Sequence, residues 1–402
     1  MKEIKLIIQA FEQAKQHGQK TALATVVHIE GSSYRAPGAR MLITEEGLLT
    51  GAISGGCLEG DALRKALMVI MQDRPLLVTY HTTDEDNAVF GINLGCNGTI
   101  HVLIEPVHPE NPQNPIAFLK IATQEKSPSA LVTLFSLKDY RDVRQGTRLL
   151  VKNDFMKEGK TVFPNANSGG ELPPCIREDI LNDIKKVFKA AHSLFINYGT
   201  STLQRGDAEE SMHHELSAFL EYVKPDISLV IAGAGNDVFP VVQMAGLMGW
   251  GVTLIDGRPN YANTRRFPAC HIVIAEPEKA LLDNLINQRM ACLIMSHNYH
   301  YDKAMLRRFS QYDVPYIGML GPRKKFERII SELKEEGIIF SPVQQACIHS
   351  PVGLDIGAET PEEIACSIIA EINTVFSDST GKSLRTFSGG IHHRKTEMMK
   401  SI

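Results

Sequence analysis

Residues 227–258 read ISLVIAGAGNDVFPVVQMAGLMGWGVTLIDGR, and this stretch decides the fold of the C-terminal part of the chain. An apolar run leads into Gly233 and Gly235, and a stretch of helical spacing then leads to a second apolar run ending at Asp256. A strand, glycine turn, helix and strand within about 30 residues form a βαβ unit. Strand-like runs at 271–276, 291–297 and 314–320 alternate with helical stretches, as in a doubly wound parallel sheet. We therefore predict a Rossmann-like domain over residues 225–376.

The segments that flank this domain carry boundary signals. Residues 200–226 are polar and end in Lys224-Pro225-Asp226, which predicts a crossing between two domains. Near the other end, residues 360–363 (TPEE) have the form of an N-cap, a first-turn proline and a capping-box glutamate. They predict a last helix through about Phe376, followed by a polar tail over residues 377–402.

The N-terminal part alternates helical and strand-like stretches. An amphipathic helix opens the chain, TALATVVHI is strand-like, and GSSYRAPGARMLIT is a glycine-rich loop entering another strand. Helical spacing over residues 60–71 precedes the β-branched runs LLVTYHT and GTIHVLIEP. These features predict an α+β domain over residues 1–215, in which parallel and antiparallel strands are not distinguished.

This N-terminal domain resembles itself at an offset of 108 residues. TALATVV and GARMLI align without gaps with SALVTLF and GTRLLV, so residues 21–51 correspond to 129–159. The hypothesis is a degenerate duplication in which the second copy has lost GSS, Arg35, Pro37 and GGCLE. Two unrelated strand-loop-strand units that converged remain the alternative.

Composition narrows the class of protein. The 402 residues are 43% hydrophobic, and 42 basic residues against 46 acidic ones give a net charge of -4, which excludes a strong attraction for nucleic acid or anionic membranes. No apolar run approaches the roughly 18 residues of a membrane span, so a cytosolic protein is expected. Seven cysteines without a C-x-x-C pair favour neither a disulfide framework nor a zinc knuckle.

The glycine turn is the first candidate site. Gly233 and Gly235 open a helix whose N-terminus favours a phosphate, and Asp256 stands where a carboxylate can bind the ribose of NAD. Arg258 could instead bind a 2′-phosphate, and Val238 replaces the third glycine of the usual pattern. A vestigial pocket is the alternative.

The second candidate site is the glycine-rich stretch at residues 51–59, GAISGGCLE, which presents Cys57 among backbone N–H groups that could converge on an anion. Cys96, within GCNG at 95–98, is a candidate partner. Thiolates suit a thiophilic metal or the transport of sulfur, and Arg35 or Arg40 could stabilise the anion. Inert packing of both thiols is the alternative.

Two further groups lie at predicted strand ends. His297 directly follows an apolar strand and could act as an acid, a base or a metal ligand, or as a hydrogen-bonded loop residue. Arg323 and Lys324 follow the strand YIGML and could bind a cofactor phosphate or simply be solvated.

Together these motifs resemble the xanthine dehydrogenase accessory family (XdhC/CoxI) over roughly residues 4–376. GSSYRAPGARML, GAISGGCLE and LGCNG are similar to its N-terminal signature, while LVIAGAGN, TLIDGRP, YIGMLGPRKK and HSPVGLDIGAETPEEIACSIIAEI resemble its Rossmann-like half. Asn97 departs from the family's Cys-Gly-Gly pattern. The positions to which the resemblance assigns cofactor binding are Arg35, Arg40, Ser54, Gly55, Gly56, Cys57, Glu59, Cys96, Gly233, Gly235, Asp256, His297, Asp302, Arg323 and Lys324.

The resemblance implies a cytosolic factor that binds and protects the molybdenum cofactor, supports its sulfuration and delivers it to xanthine dehydrogenase or a related hydroxylase. A cysteine desulfurase is then an expected partner, and a homodimer is expected only because two-fold oligomers are common. Two other hypotheses stay open: an NAD(P)-dependent oxidoreductase or a subunit of xanthine dehydrogenase itself, and a purely structural adaptor. The chain lacks the cysteine groupings of iron–sulfur clusters, which argues against an autonomous hydroxylase.

Overall fold

A computed structural model describes residues 1–31, 33–81, 98–138, 145–153, 174–198, 216–280 and 287–386. The chain divides into two compact units, Met1–Pro225 and Asp226–Ile402. Among the helices within the described ranges, none combines the length and apolar character needed to cross a membrane.

The first half of the N-terminal unit is a five-stranded antiparallel sheet in the order β3-β2-β1-β5-β4. The apolar residues of β1, β2 and β5 pack with those of α2 in one buried cluster. The elements are α1 (Lys2–Gln16), β1 (Thr21–Gly31), β2 (Arg40–Thr44), β3 (Leu49–Gly51), α2 (Glu59–Gln72), β4 (Leu76–His81) and β5 (Gly98–Val107).

The second half is a four-stranded antiparallel sheet in the order β7-β6-β9-β8. Its strand Leu216–Val223 lies in the stretch that the sequence analysis assigned to a domain crossing, because LSAFLEYV is apolar enough to be buried between two strands. The elements are α3 (Pro115–Gln124), β6 (Ser129–Phe135), β7 (Arg148–Lys152), α4 (Pro174–Ala190), β8 (Leu194–Tyr198) and β9 (Leu216–Val223).

The two halves contain hairpins of the same register. Thr25 faces Arg40 in the β1–β2 pair, and Thr133 faces Arg148 in the β6–β7 pair, so the facing positions correspond at the offset of 108 residues. The hydrogen bonds beyond the ladders match as well: the N–H of Gly38 donates to Val26 O at 2.8 Å, and that of Gly146 donates to Leu134 O at 2.9 Å.

The C-terminal unit is a six-stranded parallel sheet in the order β12-β11-β10-β13-β14-β15. This confirms the Rossmann-like fold, and the strand order reverses between β10 and β13, where doubly wound sheets bind ligands. The elements are β10 (Ser228–Ala232), α5 (Val238–Met248), β11 (Gly251–Ile255), β12 (His271–Val273), β13 (Met290–Ile294), α6 (Tyr299–Phe309), β14 (Tyr316–Met319), α7 (Arg323–Glu335), α8 (Pro342–Ala346), β15 (Ile348–His349) and α9 (Pro361–Ser377), with 3₁₀ turns at Pro277–Lys279 and Leu384–Thr386.

Helices cover both faces of this sheet. One buried cluster joins α5 and α9 to the sheet, and the other joins α6 and α7 to it. The predicted start of the last helix is confirmed, because the Thr360 hydroxyl accepts from the N–H of Glu363 at 3.3 Å and the Glu363 carboxylate accepts from the N–H of Thr360 at 2.9 Å.

Candidate functional site

Residues 51–58, here called the thiol loop, connect β3 to the start of α2. Cys57 is exposed, whereas Ile53 and Leu58 on either side of it are buried in the core of the first sheet. The loop is therefore anchored by apolar side chains and leaves its sulfur accessible. Because α2 begins at Glu59, the thiol also lies beside a helix N-terminus, where unpaired N–H groups favour an anion.

Ser54 and Glu59 hold the thiol loop in shape. The Glu59 carboxylate accepts from the N–H of Ser54 at 2.8 Å, and the Ser54 hydroxyl oxygen accepts from the N–H groups of Gly56 and Leu58, both at 3.1 Å. Burial by itself raises the pKa of Glu59, but hydrogen bonds from the Ser54 hydroxyl and from backbone N–H groups outweigh it and hold the pKa below its ordinary value. Glu59 is thus ionised near neutral pH, and both side chains stay hydrogen-bonded within the thiol loop.

A second loop, residues 33–39, lies against the first. The ring of Tyr34 lies 3.5 Å from the position that a Cβ atom on Gly55 would occupy. Tyr34 is nevertheless 70% exposed. The Arg35 guanidinium pairs with Glu3 in α1, and Glu3 also accepts from the N–H of Ala52 at 3.1 Å. The two loops and α1 are therefore connected through Tyr34 and Glu3.

The two candidate arginines differ in their surroundings. The Arg35 side chain is 30% exposed at its pair with Glu3, so one side of it faces solvent. The Arg40 side chain is 4% exposed, and its guanidinium donates hydrogen bonds to the carboxylate of Glu221 on β9 and to the carbonyl oxygen of Gly38. Arg40 thus meets protein atoms rather than an open surface. Cys96 lies outside the described residues.

In the C-terminal unit, the glycine turn follows β10 as predicted. Gly233 has φ +121°, and a Cβ atom there would lie 2.5 Å from the carbonyl oxygen of Met295. The backbone at the end of β10 therefore runs directly against the backbone after β13, and only glycine fits. At Gly235 a Cβ atom would lie 2.4 Å from Oδ1 of Asp237.

Asp256 directly follows β11 and is 2% exposed. Its Oδ1 accepts from the backbone N–H and the Nε of Arg258, both at 2.9 Å, and its Oδ2 accepts from the N–H of Ala234 at 3.0 Å and Nη2 of Arg258 at 2.8 Å. Although burial raises the pKa of Asp256, these bonds outweigh it and lower the pKa. A carboxylate has about four acceptor positions, so this one has none left for a ribose hydroxyl.

Arg266 closes over the same turn. Its Nη1 donates to the carbonyl oxygen of Ala234 at 2.8 Å, and its Nη2 donates to Oδ1 of Asn236 at 2.7 Å. The guanidinium carbon of Arg258 lies 4.2 Å from the centre of the Tyr261 ring. Arg266 thus binds the turn itself, and Arg258 binds the carboxylate at which the sequence predicted a ribose.

His297 and Asp237 form a hydrogen-bonded pair at the switch point of the sheet. Nε2 of His297 lies 2.7 Å from Oδ2 of Asp237, and the histidine side chain is 61% exposed. His297 has φ +57°, a left-handed conformation that is uncommon outside glycine and that clusters at functional sites. An imidazole oriented by a carboxylate can transfer protons.

Sequence reasoning missed Asp237, although its position directly after the glycine turn was a usable signal. The residue occupies the N-cap position of α5 but makes no capping bond with its side chain. Its carboxylate is therefore available to orient His297 rather than to cap the helix.

The remaining candidates separate into a buried and an exposed group. Asp302 is fully buried, where it pairs with Lys325 and accepts from the hydroxyl of Ser296, so it fixes the loop that carries His297. Arg323 and Lys324 are exposed at the start of α7, and their side chains make no hydrogen bond or ion pair with the described part of the chain. An anionic ligand could reach these two cations.

A metal centre made by protein ligands is not found in the described ranges, where no group of three or more histidine, cysteine, aspartate or glutamate side chains could hold an ion. Cys57, the candidate metal ligand, therefore has no ready set of protein ligands around it in those ranges.

Fold and site together define a two-unit α/β protein, with a thiol loop on an antiparallel unit and a Rossmann-like unit after it. The chain belongs to the XdhC and CoxI family. The model of that family matches residues 14–81, and the model of the XdhC Rossmann domain matches residues 229–372.

Three relatives cover nearly the whole chain. The molybdenum cofactor insertion chaperone PaoD of Escherichia coli (strain K12) is 31% identical over 369 residues, 92% of this chain and 87% of PaoD. A relative from Bacillus subtilis (strain 168), named as a probable xanthine dehydrogenase subunit, is 29% identical over 356 residues, 88% of this chain and 92% of that protein. The crystal structure of a protein described as a xanthine dehydrogenase from Bacillus halodurans superposes with a TM-score of 0.69 at 28% identity, covering 93% of this chain and 96% of that one.

Proposed function

We propose that this protein is an accessory factor of xanthine dehydrogenase or a related molybdenum hydroxylase, and that it binds the molybdenum cofactor and inserts it into that enzyme. The name and 31% identity of PaoD support the cofactor, and the name of the Bacillus subtilis relative supports the partner. A cysteine desulfurase as a second partner, a homodimeric state and a cytosolic location stay predictions.

The observation that carries the proposal is the accessible sulfur of Cys57 in a loop that its own hydrogen bonds preorganise. A thiolate is a soft ligand suited to molybdenum or to its exchangeable sulfur. The N–H groups of Ser54, Gly56 and Leu58 are bonded within the loop, so it is the α2 N-terminus that offers N–H groups to the phosphate of the pterin, and the 30% exposed Arg35, although paired with Glu3, offers a guanidinium. In this proposal Arg40, Ser54 and Glu59 have a structural role: they hold the thiol loop in its conformation and do not contact the cofactor.

Replacing Cys57 should weaken cofactor binding while leaving the fold intact, because the side chain is exposed. We expect Cys57→Ala to raise the Kd by about tenfold or more, equivalent to about 1.4 kcal/mol. Purified protein would be titrated with molybdenum cofactor released from a molybdenum hydroxylase, and bound molybdenum would be measured by mass spectrometry after ultrafiltration.

The matched control is Cys366→Ala, because Cys366 is an exposed free thiol in the C-terminal unit. This variant should bind the cofactor like the wild type. Equal binding by the wild type and both variants would contradict a role for Cys57, and no binding by any of the three would contradict the proposed function itself.

A nicotinamide dinucleotide is left out of the proposed function, because the four acceptor positions of Asp256 are already occupied by Ala234 and Arg258. We expect calorimetric titration with NAD or NADP to show a Kd no tighter than about 1 mM, equivalent to about -4 kcal/mol. Micromolar binding of either nucleotide, with hydride transfer from its reduced form to an electron acceptor, would instead favour an oxidoreductase.

A further inference from the structure

Two buried ion pairs cross between the halves of the N-terminal unit. Arg40 of the first half binds Glu221 of the second, with Nη1 at 3.0 Å from Oε1 and Nη2 on the other carboxylate oxygen. Arg148 of the second half binds Glu105 of the first in the same way, with Nη1 at 2.9 Å from Oε1. None of the four side chains is more than 13% exposed.

The surroundings of the two pairs also match. Nη1 of Arg40 donates to the carbonyl of Gly38 at 2.8 Å, and Nη1 of Arg148 donates to that of Gly146 at 2.9 Å. These glycines have φ +92° and +84°, and in each case the carboxylate of the opposite half lies within 3.0 Å of where a Cβ atom would be. Each half therefore closes its glycine turn with a carboxylate of the other half.

The strands that provide the carboxylates occupy equivalent places. Glu105 on β5 faces Leu23 of β1, and Glu221 on β9 faces Leu131 of β6, which is 108 residues after Leu23. Contacts in which position i of one part meets j of the other, and j meets i, define an isologous interface between two copies. Convergence of unrelated hairpins accounts for their similar residues but not for this exchange of partners.

We propose that the second half of the N-terminal unit is a copy of the first that supplies Glu221 as a positioning residue for the thiol loop. Arg40 is the link: a Cβ atom on Gly51, where the loop begins, would lie 2.4 Å from the carbonyl oxygen of Arg40. The 33–39 loop ends directly before Arg40, and its Tyr34 packs at Gly55. A shift of Arg40 would therefore displace the thiol loop in two ways: directly at Gly51, and at Gly55 through Tyr34 of the 33–39 loop. The importance of this positioning for cofactor binding rests on the proposed function.

The crossed geometry offers its own control. Arg40→Lys and Arg148→Lys break the same bidentate pairing in equivalent surroundings and should lower the thermal midpoint to a similar degree, but only the first pair borders the thiol loop. Hydrogen exchange followed by mass spectrometry would be measured on peptides that contain residues 52–58, whose N–H groups at Ser54, Gly56 and Leu58 are bonded within the loop.

We expect exchange of these amides to be about tenfold faster in Arg40→Lys and to change less than about twofold in Arg148→Lys. Equal acceleration in both variants, or none in Arg40→Lys, would overturn the positioning role. Glu221→Gln, which keeps the size of the side chain, provides the same test if Arg40→Lys does not fold. Hydrogen exchange needs no cofactor. If the expected exchange pattern is found but the protein does not bind the cofactor, the proposed function is contradicted and the positioning role of Glu221 is not.

Discussion

Gly233→Ala should destabilise the C-terminal unit by about 3–5 kcal/mol, the combined magnitude of a strained backbone and an overpacked contact. The new Cβ atom would meet the carbonyl oxygen of Met295 at 2.5 Å and the backbone nitrogen of Ser296 at 2.8 Å, in a residue whose φ is +121°. Backbone atoms of the central strands cannot move aside cheaply. Urea unfolding would be followed by the fluorescence of Trp250, the chain's single tryptophan, which packs on the core of this unit.

The control for this prediction is Gly246→Ala in the exposed part of α5, where nothing lies within 4 Å of the Cβ position. The same chemical change there should stabilise by about 0.5–1 kcal/mol, because alanine favours the helix. If Gly233→Ala unfolds at the urea concentration of the wild type, the close approach of β10 and the segment after β13 does not exist.

Arg148→Met should cost the N-terminal unit about 3–5 kcal/mol, the usual loss when one partner of a buried ion pair is removed. Glu105 would keep its charge in a site where its side chain is 7% exposed and where Arg148 is its bidentate partner. The free energy of unfolding would be measured by far-ultraviolet circular dichroism in urea.

The double variant Arg148→Met, Glu105→Leu tests the cause of that loss. With both charges removed, no uncompensated carboxylate is buried, so the double variant should be more stable than Arg148→Met. If the free energy of unfolding of the double variant is lower than that of Arg148→Met, packing of the arginine side chain, rather than its charge, holds the two halves together.

The fold was predictable where the sequence pattern is local. The glycine turn, the strands beside it and the capping box at Thr360 depend on residues within a few positions of one another, and all three are present. The pairing of β1 with β5 and of β6 with the strand Leu216–Val223 was not predictable, because in both cases the partner strand lies far along the chain.

The candidate site divides in the same way. Cys57 is exposed in its glycine-rich loop, whereas the sequence left both an accessible thiol and inert packing open. The partner of Arg40 lies 181 positions away, so sequence reasoning could not distinguish a buried arginine from a ligand-binding one. Asp256 and Arg258 are only two positions apart, so their pairing was a local signal against the nucleotide interpretation.

The two ion pairs between the halves imply that each half can change its sequence independently of the other, which two identical chains could not do. In a dimer of one gene product, every substitution appears twice, so a loop cannot be discarded on one side and kept on the other. Here both partners of Arg40 and Arg148 are encoded in a single chain. One half could therefore diverge, losing a motif such as GGCLE, while still providing the carboxylate on which its neighbour depends.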